Sequence, residues 1–142
     1  MHYSHTQTAM NVEEIDRLSF LPYMFGEDFM IAELKVYALA RKHLPDYEDG
    51  FWHFVRLPQG GGYMMPTGDQ YHMVNAEGWF DRTVSAEVAG IILTAQAINY
   101  RCLALKGCSD DEQIKLFLLR EFQLWNFIES HPDSAAISAA LE

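Results

Sequence analysis

Three side chains of this chain invite an acid–base reading. His53, His72 and Asp81 each fall on a segment that alternates like a β-strand, and a His–Asp pair can move a proton near neutral pH. An enzyme using His53 with Asp81 or His72 is therefore one alternative for the chain. All three lie beside aromatic groups, and a strand histidine with a hydrogen-bond partner is more often structural than catalytic. Other chemistries lack their context. Ser19 and Ser85 have no Gly-x-Ser-x-Gly elbow. Cys102 falls inside a helical pattern, away from the helix start that would lower its pKa, and its spacing to Cys108 matches no zinc motif. Gly60 to Gly62 precede a strand with no Lys-Ser or Lys-Thr after them, so they are no phosphate loop. The clusters Asp46/Glu48/Asp49 and Asp110/Asp111/Glu112 lack calcium-loop spacing. His2 and His5 sit in a polar N-terminal stretch that reads as solvated. These patterns assign no catalytic residue, no metal site and no cofactor.

Composition narrows the class. The chain has 142 residues, 49% of them apolar, which is enough for one domain with its own core. The expected organisation is a flexible tail over 1–16 and a single domain over 17–142. No apolar run approaches the ~20 residues of a membrane helix, the N-terminus lacks a secretory apolar core, and two cysteines suit a reducing compartment. A cytoplasmic location is expected. The net charge is −10, which argues against sequence-independent nucleic-acid binding. Imitation of nucleic acid can be sized. A 16.3 kDa globule exposes about 7,500 Å², or about one net charge per 750 Å². Duplex DNA carries about one per 110 Å². That density argues against whole-surface mimicry. A local acidic decoy is the second alternative.

The elements follow from periodicity. Arg17 to Phe25 is apolar with Pro22 at its centre and reads as extended across the core. A helix is expected over 27–44, with Met30, Leu34, Tyr37, Ala38 and Leu44 at helical spacing and Pro45 as its stop. An acidic turn, Asp46 to Gly50, leads into a strand over 51–57. Pro58 to Gly62 turns, and a strand returns over 63–67. Segments 70–75 and 79–84 read as two further strands. Ser85 caps a helix over 86–105 with an apolar stripe of Val88, Ile91, Ile92, Ala95, Ile98 and Cys102. Gly90 within it marks a close approach to another element. A capping box at Ser109–Glu112 opens a helix to about Glu129 that buries Ile114, Phe117, Leu118, Trp125 and Ile128. A short helix follows over 134–141. Of the candidate anchors Trp52, Tyr63, Trp79 and Trp125, at least half are expected in the core, and so are Met64, Met65 and Met73. The fold class is α+β: a small antiparallel β-meander of three to four strands packed with three to four main helices.

Four stretches resemble a known family. Arg17 to Pro22 followed by Phe25-Gly26, Tyr47 to Phe54 with Leu57 to Pro66, Ser85 to Gly90, and Phe127 to Ile137 are together similar to the ArdB/KlcA antirestriction proteins, in one order and with family spacing. Gln59, Pro58 and Gly62 depart from the family pattern within the hairpin turn. The resemblance implies an α+β domain carried by mobile elements that shields incoming DNA from type I restriction–modification enzymes. It brings no catalytic residues with it. The leading expectation is a non-enzymatic inhibitor whose partner is the type I restriction enzyme complex or an associated host factor, with no stable direct nucleic-acid binding and no membrane. Binding residues concentrate on loops held by a rigid scaffold. The expected interaction surface is therefore the acidic turn, Asp46, Tyr47, Glu48 and Asp49, with the hairpin tip at Gln59, Gly60, Gly61 and Tyr63.

Overall fold

A computed structural model describes residues 10–11, 16–75, 78, 80–108 and 110–141. The expectations for Trp79 as an anchor, Ser109 as a helix cap and most of the 1–16 tail concern residues outside that set. The elements run β1 (Met10–Asn11), α1 (Arg17–Phe25), a 3-10 turn (Gly26–Asp28), α2 (Phe29–His43), β2 (Trp52–Arg56), β3 (Gly62–Pro66), β4 (Gln70–Val74), β5 (Asp81–Ser85), α3 (Ala86–Leu105), α4 (Asp111–Glu129) and α5 (Ser134–Leu141). The α+β class stands. β1 lies within the expected tail and pairs antiparallel with the outer edge of β2.

The centre of the molecule is α3, whose N-terminal half is buried nearly all round. Its 20 residues are long and apolar enough to cross a membrane by length and composition alone. Here that apolarity goes into packing, most extensively against β3. β3 is an edge strand, in sheet order β1-β2-β3. The N–H of Met64 donates to Thr94 Oγ1 at 3.0 Å, and the Thr94 hydroxyl donates back to the Met64 carbonyl at 3.3 Å. One helix side chain thus satisfies both polar groups of a strand edge that would otherwise be buried and unpaired. Gly90, one turn earlier, makes the approach possible, since a Cβ there would lie 2.6 Å from the Met65 Cα.

This contact changes the expected meander. All four expected strands form, but as two hairpins: β2 with β3, and β4 with β5 in a second sheet. The edge of β3 that β4 would have used is occupied by α3, and the chain bends away through Thr67, Gly68 and Asp69.

Three helix assignments also change. Arg17–Phe25 is helical rather than extended, with Pro22 inside it. The carbonyl that Pro22 leaves without a helical donor is that of Leu18, which is exposed to water. Phe20, Met24 and Phe25 share its core face and are fully buried, and that burial outweighs the proline. The orphan carbonyls at its C-terminus are met from α4. Arg120 donates through Nε to Met24 O at 3.1 Å and through a terminal nitrogen to Tyr23 O at 2.6 Å, and Gln113 Nε2 donates to Phe25 O at 2.7 Å. Arg120 and Gln113 therefore take the core face of α4 with Phe117, Leu124, Phe127 and Ile128, while Leu118 turns outward. In α2 the buried face is Ala32, Val36, Leu39, Ala40 and His43. Met30 and Leu34, expected inside, are 64% and 62% exposed.

Gly90→Ala would stabilise a free helix by about 1 kcal/mol. Here we expect it to destabilise the fold through overpacking, by about 1–3 kcal/mol in gross cost, read as a lower thermal midpoint. A raised midpoint would contradict the close approach. Arg120→Met keeps apolar bulk but strands two carbonyls, at roughly 1–3 kcal/mol each, measurable by urea unfolding.

Candidate interaction surface

The acid–base candidates are separated. His53 lies on β2, with its Nε2 3.3 Å from Thr67 Oγ1. His72 and Asp81 pair with each other across the second sheet. The register places them diagonally on one face of that hairpin, opposite the face of Met73 and Val84, and their side chains are 41% and 59% exposed. His53 is thus not brought into the His72–Asp81 pair. Cys102 is buried, and burial first and the Glu121 charge second push its thiol pKa up, which keeps it protonated and unreactive. Among the described residues no three His, Cys, Asp or Glu side chains converge as metal ligands would. Asp110 caps α4 by accepting from the Gln113 N–H, and Asp111 and Glu112 occupy its first turn, where the helix dipole favours anions.

The two halves of the expected interaction surface stand apart. The acidic turn precedes Trp52, which pairs with Pro66 at the open end of the β2–β3 hairpin, and the tip begins past the Arg56–Gly62 pair at the other end. About 16 Å of strand separates them. In the turn Asp46 and Glu48 are exposed, Asp49 pairs with Arg41 at 3.3 Å, and the Tyr47 hydroxyl accepts from Trp52 Nε1 at 2.9 Å. At the tip Gly60 and Gly61 take φ of 108° and 74°, the left-handed region that glycine tolerates. The tip is docked rather than free: the Gly61 N–H donates to Tyr23 Oη at 2.8 Å, and Gln123 Nε2 donates to Gln59 O at 3.4 Å. Gln59 is exposed, Gly61 is buried, and Tyr63 is 1% exposed. Tyr63 is therefore a core residue and not a contact residue.

Tyr63 belongs to a half-buried network that motif searching does not find. Its hydroxyl donates to Glu87 Oε1 at 2.9 Å, and His131 Nε2 lies 2.7 Å from Glu87 Oε2. The Asp133 N–H donates to His131 Nδ1 at 2.9 Å, which leaves Nε2 to carry the proton and donate to Glu87. The three residues tie β3, the first turn of α3 and the turn between α4 and α5 together. Their sequence separation hid them, because no local spacing links positions 63, 87 and 131.

Several large apolar side chains are exposed on the helices. Met30, Ile31 and Leu34 on α2, Tyr100 and Leu103 on α3, and Leu118 and Phe122 on α4 are all exposed. Two depressions open beside Tyr100. One, of about 360 Å³, is lined by Ile31, Leu34, Lys35, Ala38 and Ala104. The other, of about 340 Å³, lies between α3, α4 and the end of α5. Lys35 Nζ sits 4.2 Å from the Tyr100 ring centroid, and Arg101 binds Asp28 in a bidentate pair at 2.7 and 2.9 Å. That pair fixes α3 to the start of α2.

Burial, then the Glu87 charge and hydrogen bond, push the Tyr63 pKa up; burial and Glu33 do the same to Tyr37. Tyrosine in the unfolded chain ionises near ~10. The associated stability is whole below about pH 10 and is lost as pH rises towards the folded values. Tyr63→Phe is expected to cost roughly 1 kcal/mol at pH 7, with the gap to the parent protein shrinking above about pH 10 in urea unfolding. A gap constant from pH 8 to 11 would count against the network.

Comparisons with known proteins agree with this architecture. The family described as "Antirestriction protein" matches residues 45–142. The chain is 57% identical to the YubI protein of Escherichia coli (strain K12) over all of both chains. It is 35% identical to an Escherichia coli antirestriction protein KlcA, covering 94% of this chain and 92% of the relative. A solved structure from work on KlcA and ArdB shares 35% identity with a TM-score of 0.80, covering both chains completely. That work describes a novel fold, and antirestriction activity against type I DNA restriction systems in vivo but not in vitro. On sequence and on fold alike, the chain belongs to the antirestriction protein family.

Proposed function

We propose that this chain protects DNA from type I restriction by contact with a protein and makes or breaks no bond itself. Ile31, Leu34 and Tyr100, exposed together around one apolar depression, carry the reading, since exposed apolar patches mark contact surfaces. Charge supports it. The net −10 is spread over 8062 Å², several times sparser than the surface of duplex DNA. The activity of KlcA and ArdB in vivo but not in vitro fits a route through a cellular component absent from a purified restriction reaction. The contacted protein is the restriction complex or a host factor on which it depends, and the chain works in the cytoplasm where both operate.

The local acidic decoy has less support. Asp46 and Glu48 form a small exposed cluster, with Asp49 already paired to Arg41. The test is the plating efficiency of unmodified phage on a restricting host that expresses the chain. We expect plating to rise, Leu34→Asp to abolish most of the rise while leaving the thermal midpoint near that of the parent, and Asp46→Asn with Glu48→Gln to leave it intact. No rise with the parent chain rejects the function. Loss with the acidic variants alone favours the decoy.

A further inference from the structure

The depression between α3, α4 and α5 is lined by side chains with one shared chemistry. Glu121 brings a half-buried carboxylate with no cationic partner among the described residues. Gln96 brings an amide oxygen that is buried and unpaired. Asn99 adds a second amide, and Tyr100 and Trp125 add aromatic surface. A buried acceptor without a donor is costly, and a partly desolvated carboxylate is relieved by a nearby cation. The complementary ligand brings positive charge and several N–H donors together. Aromatic walls favour a planar, weakly hydrated cation over a compact ammonium.

We propose that this depression is a socket for a guanidinium group, presented as an arginine side chain by a partner protein. Its volume of about 340 Å³ lies at the lower end of the range of roughly 300–1,000 Å³ typical of specific ligand sites, which suits one side chain rather than a larger molecule. The five donors of a guanidinium fork can be divided between the Glu121 carboxylate and the Asn99 amide oxygen, with the buried Gln96 oxygen joining them once its side chain turns towards the ligand. Tyr100 also lines the apolar depression against α2, so an arginine held here sets its neighbours beside Ile31 and Leu34. The cellular role of the socket rests on the protein-contact reading; its binding chemistry does not.

The test titrates Nα-acetyl-arginine amide into the full isotope-labelled chain, observed by NMR. We expect saturable shifts at the Gln96 and Asn99 side-chain amides and the Trp125 indole, weaker binding of Nα-acetyl-lysine amide, and none of the citrulline analogue, which has nearly the same shape without the charge. Glu121→Gln should weaken binding about tenfold, or ~1.4 kcal/mol, with the remaining spectrum unchanged, and Gln96→Leu should weaken it independently. Equal response to the citrulline analogue, no saturable shift, or full affinity in Glu121→Gln would each overturn the socket. In the plating assay Glu121→Gln is expected to lower protection. A parent chain that binds the probe but gives no protection refutes the antirestriction reading alone. A parent chain that protects but does not bind the probe refutes the socket alone.

Discussion

The approach of α3 to the open edge of β3 sets the plan of this protein. A strand edge buried under a helix would leave its peptide groups unpaired, and the Thr94 hydroxyl meets both the N–H and the C=O of Met64. That geometry requires near contact between helix and strand backbones, hence Gly90 beside Met65. Once the edge is closed, no further strand can join it. The second hairpin is displaced, and the remaining helices pack around α3. One hydroxyl and one missing methyl group thus decide how a four-strand pattern divides into two sheets.

The buried polar groups serve the same economy of backbone pairing. Arg120 has no carboxylate partner among its hydrogen bonds; it donates to the last carbonyls of α1 and to Gln123. A cation at a helix C-terminus meets the negative end of the dipole, and burial still lowers its pKa from the ordinary arginine value. Gln113 completes the arrangement. His131 and Tyr63 similarly hold Glu87 at the start of α3. These groups resemble catalytic machinery by residue type alone. Each is occupied in joining elements distant in sequence.

What is left for recognition lies outside this framework. The two Tyr100 depressions are formed by helices whose inner faces are already committed to the core, so their outer apolar side chains are free to meet another protein. The acidic excess is spread several times more thinly than the charge on duplex DNA. The same face joins apolar side chains on α2 to an acceptor-rich hollow between α3 and α4, a combination suited to a protein surface with mixed character.

Much of this was legible in the sequence. Strand alternation at 51–57, the Ser85 cap, the stripe from Val88 to Cys102 and the warning at Gly90 are local signals, and local signals survive because they act through the backbone of their own element. The family resemblance rests on the same local runs. Four features needed the tertiary structure. Pro22 sits inside a helix because Phe20, Met24 and Phe25 are buried together. Leu34 and Leu118 face outward because their helices turn other residues to the core. Tyr63 is core rather than surface because Glu87 and Phe127 lie beside it. The acidic turn and the hairpin tip are parted by the length of β2. Periodicity tells which residues share a face, but it does not say which face finds a partner, because that depends on surfaces supplied by residues far along the chain.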